Sequence, residues 1–258
     1  MPELPDVERF RRYFDSSALH KKITHAEISD EKIIEKGTSA EKLARDLENR
    51  EFEHTERFGK YLFIEATDGV TLMMHFGMTG SLEYFSDSGK PGYSRMVIDF
   101  EDGGHLAYVS RRMLGKIAEV GSGEGFIKTK KLGPDALSVS REGFSQIIKK
   151  KNAEIKSVLM DQHLMAGIGN VYSDEILYQS GIHPKRKAGS LSEEDIRKIY
   201  DVMIRVLREA SLREAGDLPD DWLIPSRAKG NSCPCGGGVE TVRAGGRTSY
   251  YCPACQRN

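Results

Sequence analysis

The sequence lacks long hydrophobic runs, and this shortage excludes several classes of protein. No apolar stretch approaches the roughly 20 residues that a transmembrane helix needs, and the first residues lack the basic-then-apolar pattern of a secretory signal peptide. Internal repeats and low-complexity segments are also missing. With 258 residues, of which 38% are hydrophobic and 30% charged, the chain has the composition of a globular protein. We therefore expect no contact with membranes and a cytoplasmic location.

Cysteine is scarce as well, and its placement is informative. All four cysteines lie within the last 26 residues: Cys233, Cys235, Cys252 and Cys255. In a chain without a secretory signal, such clustering favours a metal site over disulfides. Two closely spaced pairs of thiolates suit one structural zinc ion with closed tetrahedral coordination. The first pair is separated by one residue, which is tighter than the usual two-residue spacing.

The formal net charge of −1 gives no sign of a polyanionic partner, but the distribution of charge does. From residue 226 to the end there are five basic residues against Glu240 alone, and acidic residues concentrate in 27–56 and 192–221. A nearly neutral protein with a basic face can bind phosphates.

The order of predicted elements indicates a change of architecture near Gly133-Pro134. Before this point, short strands are joined by tight turns such as Thr67-Asp68-Gly69, which is typical of an antiparallel sandwich or barrel. Two helices accompany these strands, one from Pro5-Asp6 and one over 39–47. After it, apolar spacing predicts helices over 140–151, 154–164, 171–180 and 192–211. Residues 216–231 are predicted to be a loop.

The first residues, Met1-Pro2-Glu3, form a candidate catalytic site. Removal of Met1 before the small Pro2 would expose a secondary α-amine, and an α-amine titrates near 7.7–8.0, against about 10.4 for lysine. At neutral pH such an amine attacks electrophilic carbons and forms a Schiff base, while Glu3 is placed to transfer the accompanying proton. Taken alone, these residues are also compatible with a frayed terminus.

Two further segments could contact an anion. The turn Leu164–Asn170 contains Gly167 and Gly169, and a glycine turn at a helix N-terminus aims backbone N–H groups at an anion such as phosphate; we expect Asn170 to cap the helix. Near the C-terminus, 240–243 and 248–251 are predicted to form a hairpin that presents Arg247 to a phosphate. A tight interhelical turn and a purely structural zinc clip are the alternatives.

Several motifs in a consistent order carry a resemblance to a known family. They are Pro2-Glu3-Leu4-Pro5, the stretch from Ile155-Lys156 to Asn170-Val171-Tyr172, Gly181-Ile182-His183-Pro184 and the cysteine module. From end to end, the chain resembles the formamidopyrimidine-DNA glycosylase/endonuclease VIII family. The resemblance implies a multidomain α+β fold: an N-terminal antiparallel β-sandwich with flanking helices (1–133), a helix–two-turns–helix DNA-binding domain (134–225) and a β-hairpin zinc finger (226–258).

The resemblance also implies roles for individual residues. Pro2 matches the Schiff-base nucleophile, Glu3 the adjacent acid/base, and Lys60 a catalytic-site lysine that contacts phosphate near the lesion. His75, Asn170 and Arg247 match phosphate contacts, and Lys156 a further DNA contact. Met78 resembles the residue that fills the gap left by an extruded base, Arg112 faces the orphaned base, and Leu114 stands in for an aromatic wedge.

Three departures put the damaged base in doubt. Asp6 stands where enzymes for 8-oxoguanine usually have Glu, Arg112-Met113-Leu114-Gly115 replaces Arg-Arg-Phe-Gly, and the loop 216–231 is short. Formamidopyrimidines, oxidised pyrimidines, hydantoins and bare abasic sites therefore stay open as substrates, as does the preferred opposite base.

The function implied by the resemblance is base-excision repair by a bifunctional DNA glycosylase and abasic-site (AP) lyase. The enzyme would act as a nucleoid-associated monomer on damaged double-stranded DNA, remove oxidised bases and cut the strand by β,δ-elimination. One alternative is a catalytically inactive protein that binds damaged DNA or abasic sites. Another is an RNA-binding or ribosome-associated module, which would leave Pro2-Glu3 unexplained.

Overall fold

The computed structural model describes residues 1–86 and 89–256, so Arg257, counted above as part of the basic C-terminal segment, lies outside the described residues. The chain forms two compact units. One contains Met1–Pro2 and Asp6–Lys131, and the other contains Glu3–Pro5 and the chain from Leu132 onward. The bounds of the three domains that the resemblance implies stay predictions.

The first unit contains two four-stranded antiparallel sheets. The strands are β1 (Ile23–Ile28), β2 (Phe52–Phe58), β3 (Tyr61–Ala66), β4 (Thr71–His75), β5 (Gly80–Ser86), β6 (Ser94–Phe100), β7 (Gly104–Ser110) and β8 (Lys116–Val120). One sheet has the order β1-β6-β7-β5 and the other β2-β3-β4-β8. Both sheets contribute fully buried side chains to one core, such as Leu62 and Ile98, so the predicted antiparallel sandwich is confirmed.

Three helices accompany the sheets: α1 (Leu4–Ser17), α2 (Ala40–Leu47) and α3 (Gly123–Lys130). In α1 the predicted apolar face is buried at Val7 and Phe14, while the ring of Phe10 lies 4.3 Å from that of Phe76. The sequence does not predict α3, because its apolar residues Phe126 and Ile127 are adjacent and do not repeat at the spacing of three and four by which a helix is recognised. Consistently, α3 has no fully buried residue.

The second unit is built from α4 (Arg141–Lys149), α5 (Ile155–Met160), α6 (Asn170–Ser180) and α7 (Glu193–Leu212), with short 3₁₀ turns at Ala188–Ser190 and Ile224–Ser226. A capping box of Ser192 and Asp195 starts α7. The hairpin of β9 (Glu240–Ala244) and β10 (Arg247–Tyr251) confirms the predicted one. None of the helices in the described ranges is long and apolar enough to cross a membrane.

The helix predicted over 154–164 is shorter than expected, since α5 ends at Met160. Gln162 explains the early end. Its amide nitrogen donates to the carbonyl oxygens of Met160 (2.7 Å) and Ile168 (2.8 Å), and its amide oxygen accepts from the N–H of Gly167 (3.0 Å). These three bonds organise a turn instead of another helical turn.

Glu175 in α6 anchors the loop that precedes the cysteine hairpin. Its fully buried carboxylate accepts hydrogen bonds from the backbone N–H groups of Leu223 (3.2 Å) and Ile224 (2.8 Å) and from the side chain of Gln179 (2.7 Å). Burial raises the pKa of Glu175 from its ordinary 4.5 to about 7, because removal of water penalises the charged form more than these donors stabilise it.

The raised pKa of Glu175 predicts a pH-dependent contribution to stability. Between its ordinary pKa and about 7, the folded state holds a proton that the unfolded state has lost, so this group contributes less stability as pH rises through that window, by up to about 3 kcal/mol. We expect the free energy of unfolding of the wild type, relative to Glu175→Gln, to decline between pH 5 and pH 8. Urea unfolding at both pH values measures this difference. For the control Glu53→Gln, at an exposed position, the difference from the wild type should be the same at both pH values. A constant difference for Glu175→Gln would contradict the raised pKa of Glu175.

Candidate functional site

The carboxylate of Glu3 caps the N-terminus of α6. It accepts hydrogen bonds from the backbone N–H groups of Gly169 (2.7 Å), Val171 (2.8 Å) and Tyr172 (3.2 Å), and only 1% of Glu3 is exposed. These N–H groups have no partner within the helix, and the helix dipole favours an anion there. The glycine turn does direct N–H groups at an anion, but this anion is the carboxylate of Glu3 and not the phosphate that the sequence suggests.

Gly167 and Gly169 make room for the segment that carries Glu3. A Cβ at Gly169 would lie 2.4 Å from the Glu3 carboxyl carbon, and one at Gly167, whose φ is +119°, would lie 2.6 Å from a methyl group of Leu4. The Leu4 N–H donates to the Gly167 carbonyl oxygen (3.0 Å). Both glycines are therefore required by close packing against residues 3 and 4.

The prediction that Asn170 caps α6 is wrong. Gly169 occupies the N-cap position and has no side chain that could accept from the N–H groups of the first turn, while Asn170 is the first helical residue. Glu3 takes over the capping role from a distant part of the sequence. The side-chain Oδ1 of Asn170 is buried and has no hydrogen-bond partner among the described residues, which leaves the amide group uncommitted.

Lys60 and His75, predicted to contact phosphates, are brought together in the first unit. Lys60 lies in the turn between β2 and β3 and is 7% exposed. His75 ends β4, and its Nδ1 accepts a hydrogen bond from the Gly77 N–H (3.3 Å). Burial first, and then the charge of Lys60, lowers the pKa of His75 to about 4. His75 is therefore neutral at physiological pH, with its proton on Nε2.

Met78, Arg112 and Leu114 lie on two loops that are in close contact. The Arg112 guanidinium lies 3.5 Å from the Met78 sulfur, and a Cβ at Gly77 would lie 2.4 Å from the Leu114 backbone. Met78 is 43% and Leu114 47% exposed, unusual values for large apolar side chains. Two exposed apolar groups beside a cation are suited to insertion into a base stack.

Lys156 is buried instead of presented to solvent. Its ammonium group is 0% exposed, forms an ion pair with Asp174 and lies 3.5 Å from the Asn170 carbonyl oxygen. Removal from water lowers the pKa of Lys156, and Asp174 opposes this shift. This position gives Lys156 a role in holding α5 against α6. Its contact with DNA stays a prediction.

Asp174 joins three parts of the second unit, and sequence reasoning missed it. Besides Lys156, its carboxylate accepts from the Arg227 guanidinium (2.8 and 2.9 Å), the Ser249 hydroxyl and the Tyr250 N–H (3.1 Å). The helices, the loop before the cysteines and strand β10 therefore meet at one buried anion. An Asp inside a helix carries no signal in the sequence for partners 53 and 75 residues away.

Arg247 is exposed at the start of β10, directly after the turn Gly245-Gly246. Both glycines have positive φ (57° and 71°), as a two-residue hairpin turn requires. The Gly245 N–H donates to Glu154 (2.9 Å), and a Cβ at Gly245 would lie 2.7 Å from the Met160 methyl group. The turn that presents Arg247 is thus packed against α5.

The four cysteines converge, and their geometry fits a metal ion. All four sulfur atoms lie within 4.8 Å of one another, and neighbouring pairs are 3.3, 3.6 and 3.8 Å apart. A tetrahedron with metal–sulfur bonds of 2.3 Å has edges of about 3.8 Å. Tyr178 places its hydroxyl 3.3 Å from the Cys233 sulfur. All four are free thiols, so the cluster could hold a metal ion.

Comparisons with known proteins agree on one family. Residues 1–117 match the model of the formamidopyrimidine-DNA glycosylase N-terminal domain, and residues 132–218 match that of the formamidopyrimidine-DNA glycosylase H2TH domain. The formamidopyrimidine-DNA glycosylase of Streptococcus pneumoniae is 33% identical over 275 residues, which cover 100% of this chain and 99% of the relative. That of Pelotomaculum thermopropionicum is 32% identical over 276 residues, with the same coverage.

Solved structures give the same result. The Lactococcus lactis formamidopyrimidine-DNA glycosylase bound non-covalently to DNA with an abasic site superposes with a TM-score of 0.91 and 28% identity, covering 99% of this chain and 100% of that one. The same enzyme in complex with DNA containing an oxidised pyrimidine also gives 0.91, at 27% identity and 100% coverage of both chains. The chain therefore belongs to the formamidopyrimidine-DNA glycosylase family.

Proposed function

We propose that this protein is a base-excision-repair DNA glycosylase that also cleaves the abasic site, with the α-amine of Pro2 as its nucleophile. Family membership supports the glycosylase activity. The single observation that supports the catalytic roles is the position of Glu3, the residue next to Pro2. Three backbone N–H groups hold its carboxylate in place. A proton-transferring group next to the nucleophile needs such a fixed position.

The chemistry follows from a secondary amine. After removal of Met1, the Pro2 nitrogen forms a bond to C1′ of the damaged nucleotide, and the glycosidic bond breaks so that the base departs with its electron pair and takes up a proton. Loss of the amine proton leaves an aminal, and the C1′–O4′ bond of the sugar ring then breaks as O4′ takes up a proton, which gives an iminium ion. This ion acidifies C2′, and loss of a C2′ proton breaks the C3′–O bond. A second elimination breaks the C5′–O bond and completes the β,δ-sequence. Glu3 transfers protons in these steps.

The damaged nucleotide must leave the base stack before C1′ can be reached, which costs a few kcal/mol. Met78 and Leu114 would enter the vacated space, and Arg112 would face the orphaned base. Their exposure and the proximity of Arg112 to Met78 support this role, since apolar wedges between bases offset part of the cost of unstacking.

Phosphate contacts would come from Lys60, His75, Asn170 and Arg247. His75 is neutral at physiological pH because its pKa is lowered to about 4, so it would act as a hydrogen-bond donor through Nε2 and release no counterion. Asn170, whose Oδ1 has no protein partner among the described residues, has an uncommitted amide. Lys156 would act by holding Asn170 and Asp174 in place.

One zinc ion held by Cys233, Cys235, Cys252 and Cys255 would complete the hairpin. The four-thiolate donor set suits a structural zinc ion with no open coordination position, so the metal takes no part in the chemistry. Its role is to fix β9 and β10, and thereby the position of Arg247.

Borohydride trapping tests the nucleophile. We expect sodium borohydride to reduce the iminium ion formed on abasic-site DNA, which leaves a covalent protein–DNA adduct that peptide mass spectrometry locates on Pro2. Base excision by Pro2→Gly should fall by about tenfold or more, because the secondary amine is lost, whereas the control Pro91→Gly should retain the wild-type rate. An adduct on a lysine, or excision with Met1 still attached, would contradict the assignment.

Metal removal tests the zinc site. We expect native mass spectrometry to find one zinc ion per chain, and Cys252→Ser to lose it with a lower melting temperature and weaker DNA binding, because a structural zinc ion contributes directly to folding. The exposed neighbour Ser232→Ala is the control and should keep the ion. Full DNA affinity in a metal-free protein would contradict the role assigned to the cluster.

A further inference from the structure

A concave surface of about 400 Å³ in the second unit is lined by lysines from two separate segments. Lys149, Lys150 and Lys151 come from the end of α4 and the residues after it, and Lys187 directly precedes the 3₁₀ turn Ala188–Ser190. We call this surface, completed by Asn152, Gly189 and Ser190, the lysine basin.

The basin carries uncompensated positive charge. Lys149 forms an ion pair with Glu193, whereas within residues 1–86 and 89–256 no acidic group lies within ion-pairing distance of Lys150, Lys151 or Lys187. The carbonyl end of α4 favours nearby cations, which explains why Lys149, Lys150 and Lys151 occur there. It does not explain the presence of Lys187, which belongs to another segment. Like charges that converge in a concavity repel one another, and a bound anion relieves that repulsion.

The same two segments connect the basin to the hairpin turn before Arg247. Glu154 and Lys187 are paired as an antiparallel bridge, and the Ile155 N–H donates to the Arg186 carbonyl oxygen (2.8 Å). The carboxylate of Glu154 in turn accepts the N–H of Gly245 (2.9 Å). Hydrogen bonds within one compact unit therefore fix the basin relative to the exposed guanidinium of Arg247.

We propose that the lysine basin binds the phosphodiester backbone of duplex DNA that flanks the damaged nucleotide, an inference that rests on the function proposed above. Phosphates recur along each strand at a rise of 3.4 Å, so a duplex held at Arg247 continues past that contact. Lysine ammonium groups are mobile point charges that bind phosphates without reading sequence. The basin thus adds affinity for DNA of any sequence and contributes nothing to the chemical step.

The salt dependence of DNA binding tests the basin. The triple variant Lys150→Gln, Lys151→Gln and Lys187→Gln is compared with the wild type on duplexes that contain a stable abasic-site analogue. We expect the slope of log affinity against log salt to become shallower by about 0.9 for each phosphate that the variant no longer neutralises, or about two to three in total. The reduction in affinity should grow as the flanking duplex is lengthened.

A control variant separates local contact from general charge. Lys36→Gln, Lys128→Gln and Lys198→Gln remove the same charge from exposed positions elsewhere and should leave the slope near that of the wild type. An unchanged slope in the basin variant, an equal change in the control, or a reduction in affinity that does not depend on duplex length would overturn the proposal.

The same experiment distinguishes failure of the basin from failure of the proposed function. With saturating enzyme, the single-turnover excision rate of the basin variant should equal that of the wild type, because the basin holds DNA and does not touch the reacting atoms. A slower rate at saturation would contradict this. If neither protein excises a base, the proposed function fails, while the salt slopes still decide whether the basin binds DNA.

Discussion

The rest of the site depends on the hydrogen bonds between the carboxylate of Glu3 and the N-terminus of α6. The carboxylate satisfies three N–H groups that the helix cannot pair, and it needs Gly169 beneath it, because a side chain there would collide with the carboxyl group. These three hydrogen bonds thereby fix Glu3, the residue next to the proposed nucleophile. It also occupies the start of α6, so these N–H groups are not available to a phosphate.

Asp174 organises several elements of the second unit in a similar way. A single buried carboxylate faces Lys156 and Arg227 and also accepts from residues of β10. Removal of one partner from such a group leaves a buried charge uncompensated, which costs about 3–5 kcal/mol. The hairpin that presents Arg247 is therefore coupled to α5 and α6, and the glycine turn Gly245-Gly246 adds a second point of attachment through Glu154.

The sequence predicted the features that local pattern determines. Turn residues, apolar spacing and paired cysteines were sufficient for most strands, the hairpin and the cysteine cluster. The residues Met1-Pro2-Glu3 themselves indicated the candidate nucleophile, and the family resemblance supported it. Contacts between distant residues were not predictable: the capping of α6 by Glu3 and the ion pairs of Asp174 depend on tertiary structure. The end of α5 at Met160 was also not predicted, because it depends on hydrogen bonds that the Gln162 side chain makes with the nearby backbone. Lys156 shows what the sequence cannot tell, because a lysine in a sequence does not reveal whether its charge is exposed or buried.

Glu3 thus holds the start of α6 and, in the proposed mechanism, also transfers protons for Pro2. Amide hydrogen exchange at Gly169, Val171 and Tyr172, measured together with single-turnover excision for Glu3→Gln, tests both roles most directly. Since hydrogen bonds to a carboxylate are stronger than those to a neutral amide by about 1–1.5 kcal/mol, we expect exchange to accelerate about tenfold, and excision to fall about a hundredfold when proton transfer is removed. Unchanged exchange, or excision at the wild-type rate, would contradict the account.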